Sequence, residues 1–484
     1  MAHDGIAQRD LSPRRIFGFA SNQAFVFFLF YLGITQVAGE ASSQVVGGAP
    51  VGQALSEPSG QFIRIDLLFI LVFMVVGLFM LSRASSSART RAFARPLLYL
   101  YAICAAVGSL LPTAFPDAGI WLFAAEGLVV GVPLACVLAA WGRTFGQVNT
   151  SISVVEVFLG SLVAALVCLA FAVAAPSDVV ALAFRLLPLA SVVNISVPAD
   201  GKAVQSIALQ DGADVVRMLS TKILAGTLLF GVAAGFVETC DAEVGSPAVP
   251  FIVVSFVLFA AFAIGALTLL LSDGFGKGAA LNKSYRLAVF LMVAGALMTP
   301  VAMFAQSAFT GESLVLAGYL GLQVVFVSLF LVLAKITAVD AAHAFARGFT
   351  ALFVGEALGV GLANVFAAIL PFDQAKPVEM MIVGTIALLS YVFFFTERDF
   401  DALTQIVTVS DDFEERCALM VERFRLSKRE AEILPYAVRG RTSERIAREM
   451  VVTKSTVDTH LRRIYAKCDV HSRQELIDLF ESVR

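Results

Sequence analysis

The sequence is poor in charged residues. Asp, Glu, Lys and Arg make up 15% of its 484 residues, whereas a soluble globular protein carries about 25%. Hydrophobic residues instead make up 58%, above the usual share of about 45–50%. This balance excludes a conventional soluble protein, a disordered chain and a disulfide-rich secreted domain.

Histidine and cysteine are also scarce, with four and six residues in the whole chain. No two cysteines have CxxC spacing, and the histidines do not cluster as metal ligands do. The sequence contains no nucleophile elbow, no HExxH motif and no phosphate-binding glycine loop. We therefore expect no metal, no cofactor and no enzymatic activity, and we expect the cysteines to be packing residues.

The few charges are unevenly distributed. Residues 1–396 carry 19 basic and 21 acidic residues, whereas residues 397–484 carry 16 and 17 in a segment less than a quarter as long. This contrast predicts a membrane domain over 1–396, an acidic linker over 397–424 and a soluble domain over 425–484. The linker has a net charge of −5 and the soluble domain a net charge of +4.

Residues 1–396 contain twelve apolar segments long enough to cross a bilayer, which takes about 20 residues per helix. They cover about 16–37, 62–81, 97–115, 118–140, 152–175, 178–197, 221–240, 248–271, 287–309, 314–339, 349–370 and 380–396. The fold class is therefore all-α: a polytopic bundle of about twelve membrane helices, followed by a small helical domain.

The loops between these segments indicate the orientation. With a cytoplasmic N-terminus, inside segments hold sixteen Lys and Arg residues, and outside segments hold Lys376 alone. Basic residues accumulate in cytoplasmic loops, so both termini are predicted to be cytoplasmic. The longest inside loop, about 198–220, separates six helices from six more.

A few ionisable residues lie within the predicted spans, where charge is costly and usually faces a cavity or a partner. They are Arg64, Asp66, Glu126, Glu156, Arg185, Lys335 and Glu356. One interpretation is an outward-open pocket for an anionic or polar ligand, formed by Arg64, Asp66, Glu126, Arg185 and Glu356. The other is a set of structural ion pairs, with Glu126 and Arg185 at matching depth. Lys335 is expected to reach the inner interface, and Asn194, Gln306, Gln323 and Asn364 fit either interpretation.

The last 60 residues read as four short amphipathic helices. Ser427 followed by Glu430 predicts a capping box at the first helix. Thr442 or Ser443 caps the second, Ser455 caps the third and Ser472 begins the fourth. At 100° per residue, the third helix buries a stripe of Val457, Leu461 and Ile464.

The opposite face of this third helix is small, polar and basic, as a helix that reads the major groove must be. Arg462 is placed to donate to guanine edges, and Lys454, Arg463 and Lys467 suit phosphates. The predicted DNA-binding residues are Lys454, Ser455, Thr456, Asp458, Thr459, Arg462, Arg463 and Lys467.

This domain resembles the LuxR/NarL-type helix-turn-helix. The match runs from Leu426-Ser427 through Gly440, Thr442-Ser443 and Ile446-Ala447 to Ser455-Thr456-Val457, His460 and Ile464, and it closes with Val470, Ser472-Arg473 and Glu475-Leu476. The resemblance implies double-stranded DNA as a partner and a fourth helix that forms homodimers. Asp458 replaces an often basic residue, and Asp469 replaces the usual glycine after the third helix. A helical module that binds protein is the alternative.

The span count and the six-plus-six spacing resemble the major facilitator superfamily, although the loop Leu81–Arg91 lacks that family's acidic residue and glycines. The combination resembles membrane-spanning LuxR-type regulators. It implies a one-component regulator in the bacterial cytoplasmic (inner) membrane, with membrane lipid, an unknown small molecule and DNA as partners. A secondary transporter with a regulatory tail is the alternative. The linker is either a helix of about 40 Å that pairs with a partner copy or a solvated acidic spacer.

Overall fold

A computed structural model describes residues 11–32, 64–115, 120–173, 178–196, 213–240, 248–272, 277–305, 311–337, 339–369, 372–393, 399, 413 and 416–483. The chain divides into two compact units, Met1–Thr404 and Gln405–Arg484. The described residues of both units are helical and contain no strand.

The first unit contains twelve principal helices in its described part. They are α1 (Pro13–Phe27, continued by a π-helical turn Phe28–Leu32), α2 (Ile65–Arg83), α3 (Arg95–Gly108), α4 (Ile120–Phe145, with a π-helical turn Gly127–Gly131), α5 (Thr150–Val173), α6 (Asp178–Val193), α7 (Ala213–Cys240), α8 (Ala248–Leu271), α9 (Lys277–Ala305), α10 (Gly311–Thr337), α11 (Ala341–Ile369) and α12 (Phe372–Phe393). Short helices Ser86–Ala92 and Leu111–Ala114 precede and follow α3.

Seven of these helices are long and apolar enough to cross a membrane: α2, α4, α5, α10 and the apolar stretches Arg217–Thr239, Ile252–Leu271 and Ala341–Phe366 of α7, α8 and α11. Each of the twelve predicted spans falls on one of the twelve helices. The predicted starts of α7, α9, α11 and α12 are about eight to ten residues too late. These helices begin with polar turns, which a search for apolar runs does not include.

The helices form two six-helix halves that pack in the same way. Helix α1 packs on α5 and α6, and α7 packs correspondingly on α11 and α12. The halves then meet through two equivalent pairs, α2 with α11 and α5 with α8. A repeated packing pattern of this kind is the arrangement of transporters built from two parallel repeats.

Glycines allow the closest helix approaches in this bundle. A Cβ added to Gly231 or Gly235 on α7 would lie 2.2 Å from the carbonyl oxygen of Leu352 or Glu356 on α11. Because no side chain fits there, the α7 and α11 backbones are in direct contact. This contact holds Glu356 beside the C-terminal half of α7.

The second unit contains α13 (Lys428–Val438), α14 (Ser443–Met450), α15 (Lys454–Cys468) and α16 (Arg473–Ser482). Residues 416–423 form a further helix before them. One apolar core joins all five helices, and Leu434, Ile446, Val457, Ile464 and Leu476 are fully buried in it. This unit therefore has the core of an independently folding domain.

Candidate functional site

Helices α13 to α16 each begin at a hydroxyl cap. Ser427 accepts a hydrogen bond from the Glu430 backbone while the Glu430 side chain accepts one from the Ser427 backbone, so the predicted capping box is present. Thr442 caps α14 and Ser472 caps α16. The predicted cap of the third helix is wrong: Thr453, not Ser455, accepts from the Thr456 backbone. The helix therefore starts at Lys454, and Ser455 lies within its first turn.

Helix α15 has one buried and one exposed face. Val457, Leu461, Ile464 and Cys468 are buried, which extends the predicted stripe by one turn. The exposed face is formed by Ser455, Thr456, Thr459, Arg462, Arg463 and Ala466, with Asp458 half-buried beside it. Among these, the Thr459 hydroxyl donates a hydrogen bond to the backbone carbonyl of Ser455, one turn earlier in the same helix, at 2.8 Å. The other side chains of this face are exposed, and their contact with the major groove of DNA stays a prediction.

Two of the predicted phosphate contacts have partners inside the domain. Lys454 Nζ lies 2.8 Å from Glu444 Oε1, and both side chains are exposed. Lys467 Nζ donates to the buried Glu430 carboxylate at 2.7 Å and to the Arg425 carbonyl at 3.0 Å. Lys467 thus ties α15 to the start of α13, and its contact with phosphate stays a prediction.

The turns around α15 use left-handed backbone. Asp469 ends the helix with φ of 53°, and Val451 ends α14 with φ of 54°. Aspartate tolerates this conformation better than most residues, whereas a β-branched valine is strained in it. The replacement of the usual glycine by Asp469 therefore leaves the helix end intact.

The end of the predicted linker belongs to this second unit. Cys417 and Met420 are buried in its core, and the rings of Phe413 and Phe480 lie 5.1 Å apart. The Arg439 guanidinium lies 4.1 Å from the centroid of the same Phe413 ring. Cys417 and Met420 therefore face the core of this unit, and Phe413 packs on α16, so these apolar residues are not exposed to a partner copy. Most of the linker before Phe413 lies outside the described residues.

In the first unit, three of the predicted pocket residues come together at the start of α2. Arg64 adopts a left-handed conformation with φ of 59°, donates to the Phe30 carbonyl at 2.7 Å and lies 3.5 Å from Asp66. Glu126, at the π-helical turn of α4, is buried and has Arg64 and Asp66 as its charged neighbours. Strained backbone and π-helical turns are frequent at functional sites.

The other side of this group is formed by α7, α10 and α11. Glu356 is fully buried and accepts a hydrogen bond from the Tyr319 hydroxyl. Glu238 is buried near the end of α7 and has Arg64, Asp66 and Tyr31 as neighbours. Tyr31, on the π-helical turn of α1, also has Glu356 as a neighbour. We call the set of Tyr31, Arg64, Asp66, Glu126, Glu238, Tyr319 and Glu356 the carboxylate cluster.

Three members of this cluster, Tyr31, Glu238 and Tyr319, were not predicted from the sequence. Glu238 lies two residues before the end of the predicted span 221–240, so its position in the sequence does not distinguish it from an interfacial residue. Its spacing from Gly231 and Gly235, which pack against α11, is the signal that places it on the inner face of α7.

The remaining candidates have different surroundings. Glu156 accepts hydrogen bonds from Arg15 at 2.7 Å and from the Ser12 backbone at 2.8 Å, so it is a structural ion pair. Arg185 is partly exposed on α6, and its predicted pairing with Glu126 stays a prediction. Asn194 and Asn364 donate to carbonyls of their own helices. Gln323 is a neighbour of Glu356, Lys335 is partly exposed near the end of α10, and Gln306 lies outside the described residues.

A second charged network joins the two halves near the start of α11. Asp340 accepts from Arg89 Nε at 3.1 Å and from the Arg143 guanidinium, and Arg143 also donates to Thr90. Partial burial opposes ionisation of Asp340, but the hydrogen bonds from Arg143 and Arg89 lower its pKa below the ordinary value. Arg89, from the short helix after α2, and Arg143, from α4, thus share one acidic partner from the other half.

With this geometry in place, the second unit defines a helix-turn-helix regulator domain. Residues 425–480 match the family model for bacterial regulatory proteins of the luxR family. The Escherichia coli (strain K12) response regulatory protein YgeK, which is uncharacterized, is 32% identical over 117 residues, covering 23% of this chain and 79% of YgeK. The chain belongs to the luxR family of bacterial regulatory proteins through this domain.

Two further comparisons concern a second sequence relative and the fold of the membrane unit. A Pseudomonas aeruginosa protein that is provisionally named a transcriptional regulator is 35% identical to this chain over 100 residues. The aligned region covers 21% of this chain and 44% of that protein. The Escherichia coli proton:xylose symporter XylE, of the major facilitator superfamily, is similar to the first unit with a TM-score of 0.50 and 12% identity, covering 81% of this chain and 96% of XylE. The protein is therefore a multi-pass membrane protein with a major-facilitator-like fold and a LuxR-type DNA-binding domain.

Proposed function

We propose that this protein is a membrane-anchored one-component transcription regulator that senses a small molecule. The observation that carries the proposal is the fusion itself. One chain joins a LuxR-type domain with an exposed, basic α15 face to a transporter-like bundle with charged groups buried between its halves. The transporter-like unit then serves as the sensor, and the LuxR-type domain as the output.

A ligand acts by binding two conformations of the membrane unit with different affinity. The carboxylate cluster contains residues of both halves, so a ligand bound there changes the relative stability of their arrangements. The result is a change in how the second unit is presented to DNA or paired with another copy. Homodimerisation through α16 and contact with membrane lipid belong to the same proposal.

The orientation follows from the same function. DNA is in the cytoplasm of a bacterium, so the C-terminal domain must be there too, and the excess of basic residues in the inside loops agrees with it. We place the protein in the inner membrane with both termini cytoplasmic. We propose no enzymatic activity, since the families that it resembles act by binding.

The DNA-reading role is tested with the 405–484 fragment, which has its own core. Operator sequences are first selected from genomic DNA, and the Kd is then measured for wild type and Arg462→Ala. One bidentate base contact is worth about 1–3 kcal/mol, so we expect the variant to bind about 5- to 150-fold more weakly. Lys428→Ala removes an exposed lysine outside α15 and is the charge-matched control.

The two variants together separate base reading from general electrostatics. The Lys428→Ala fragment should retain most of the wild-type affinity, and the affinity of all fragments should fall steeply with salt as counterions are released. Equal affinities for wild type and Arg462→Ala would remove Arg462 from the base-reading role.

A secondary transporter with a regulatory tail is the second candidate, favoured by the buried Glu126 and Glu356. Membrane carboxylates in such positions serve as proton relays in transporters. This candidate predicts ligand uptake into vesicles that Glu126→Gln abolishes. Wild-type vesicles that bind ligand without accumulating it would exclude it.

A further inference from the structure

The carboxylate cluster has a large excess of acidic groups. It contains four acids, Asp66, Glu126, Glu238 and Glu356, and one base: Arg64 lies 3.5 Å from Asp66 and is a charged neighbour of Glu126 and Glu238, and Glu238 is in turn a neighbour of Glu356. Asp66 is the most exposed of these acids, with 30% of its side chain accessible, and the three glutamates are buried. Burying a charge without a partner is strongly unfavourable, so the excess is neutralised by protons or by a bound cation.

The polar atoms that lack a partner in the cluster are mostly acceptors. Buried atoms without a hydrogen bond of standard geometry are Glu126 Oε2, Glu238 Oε1 and Oε2, Glu356 Oε2, the Tyr31 hydroxyl and one terminal nitrogen of Arg64. The Tyr31 hydroxyl is within reach of Glu238 and can donate to one of its oxygens, which leaves the other Glu238 oxygen, Glu126 Oε2 and Glu356 Oε2 as acceptors. Buried polar groups in proteins are nearly always paired, and each exception needs an explanation. A ligand that satisfies this set must donate several hydrogen bonds. An anion offers none, and it would meet four acids and one base.

The surroundings favour an organic cation over a metal ion. Within the described residues, no group of three or more His, Cys, Asp or Glu side chains has the geometry to hold a metal. Aromatic rings flank Tyr31 instead: the Phe30 centroid lies 6.3 Å from the Tyr31 centroid and 6.0 Å from that of Phe353. Aromatic faces attract organic cations, and an ammonium group donates up to three hydrogen bonds.

We infer that the carboxylate cluster binds a protonated organic amine with an apolar or aromatic body, in which the ammonium group lies between Glu238 and Glu356. This inference rests on the proposed sensing function and specifies its ligand class. It replaces the expectation of an anionic ligand at Arg64, which is already engaged by Asp66 and the Phe30 carbonyl. Glu238 and Glu356 both belong to the second half, and Tyr31 of the first half neighbours both of them, so the cation lies in the second half and faces the first.

The experiment compares three probes that share one ring and differ in charge: benzylammonium, benzyl alcohol and benzoate. Thermal unfolding of the purified full-length protein in detergent is measured with each probe. At about 10 mM, a ligand that binds the folded state raises the midpoint by about 2 °C or more. We expect this shift from benzylammonium alone, and we expect Glu238→Gln and Glu356→Gln each to abolish it.

Glu156→Gln is the matched control, since it neutralises a buried glutamate that pairs with Arg15 outside the cluster. It should lower the midpoint but retain the benzylammonium shift. Equal shifts from benzoate or benzyl alcohol, a shift that survives both cluster variants, or no shift from any probe would each overturn the inference. If lowering the pH raised the thermal midpoint while benzylammonium did not, the cluster would be a proton site, and this result would overturn the inference as well. Operator binding by the 405–484 fragment is measured separately, so failure here is distinguishable from failure of the regulator proposal.

Discussion

At the residue scale, Glu430 connects the fold of the DNA-binding domain to its recognition helix. Its carboxylate is 3% exposed, and it accepts hydrogen bonds from Lys467 Nζ and from the Ser427 backbone, both at 2.7 Å. Burial opposes ionisation, but these hydrogen bonds outweigh it and lower the pKa of Glu430 below its ordinary value of 4.5. The ionised form is therefore the one that stabilises the domain.

This pKa shift predicts an acid-sensitive domain. Because the folded pKa lies below the unfolded one, the stabilisation is complete above about pH 4.5 and is lost as pH falls through the folded pKa. Glu430→Gln should lower the free energy of unfolding at pH 7 by about 1–3 kcal/mol. Glu430→Gln should also reduce the loss of unfolding free energy as the pH is lowered. Urea unfolding of the 405–484 fragment at several pH values measures both effects.

The exposed Glu444 is the control for this measurement, since it pairs with Lys454 in solvent. Glu444→Gln should change the unfolding free energy much less than Glu430→Gln does, because exposed ion pairs contribute little to stability. If Glu430→Gln matched that small effect and kept the wild-type slope with pH, the buried pair with Lys467 would not stabilise the domain.

At the scale of elements, the helix over 416–423 extends the DNA-binding domain towards its N-terminus. Its buried Met420 contributes to the same core as Leu476 and Phe480, so the cooperative unit begins before residue 425. Removal of a buried methionine side chain to alanine costs about 2–5 kcal/mol. We therefore expect Met420→Ala to lower the free energy of unfolding of the 405–484 fragment by at least about 2 kcal/mol.

Leu419→Ala is a suitable control, because it lies on the same helix and is 37% exposed. Urea unfolding followed by circular dichroism gives both values. Equal stabilities for Met420→Ala and wild type would show that the 416–423 helix does not pack on the domain in solution.

The sequence predicted those elements whose signals are local. The capping box at Ser427, the buried stripe of α15 and the twelve apolar runs depend on neighbours in the chain, and all are present in the structure. Contacts between segments that are distant in the chain could not be predicted from the sequence. No local pattern shows that Lys467 pairs with Glu430, that Phe413 packs on Phe480 or that Glu238 faces Tyr31.

The sequence left two interpretations open for the ionisable residues within the spans, a ligand pocket and structural ion pairs. Different residues fit different interpretations. Glu156 is a structural ion pair with Arg15, whereas Arg64, Asp66, Glu126 and Glu356 join one cluster. Depth along each helix was readable from the sequence, but the direction of each side chain around it was not. The direction depends on the packing of α7 on α11, which close glycine contacts determine.

At the scale of the whole membrane unit, Asp340 links elements from both halves. It is the shared acceptor of Arg89 and Arg143, whose side chains are only 9% and 4% exposed. Removing one partner of a buried charge network costs about 3–5 kcal/mol, because the remaining charges are left buried. Asp340→Asn should therefore lower the thermal midpoint of the full-length protein by several degrees.

Asp340→Glu keeps the charge and is the matched variant for this test. It should retain more of the wild-type midpoint than Asp340→Asn in the same detergent. An unchanged midpoint for Asp340→Asn would indicate that the two arginines find other acceptors and that the network does not hold the halves together.

The central claim is that this transporter-like membrane protein acts on DNA. Its most direct test is genome-wide DNA occupancy of the tagged full-length protein in its own membrane, beside an Arg462→Ala/Thr459→Ala double variant. We predict sharp peaks for wild type that disappear in the double variant while the amount of membrane-inserted protein stays the same. Weak signal that is identical for both proteins would contradict the claim and favour a transporter whose tail binds a protein partner.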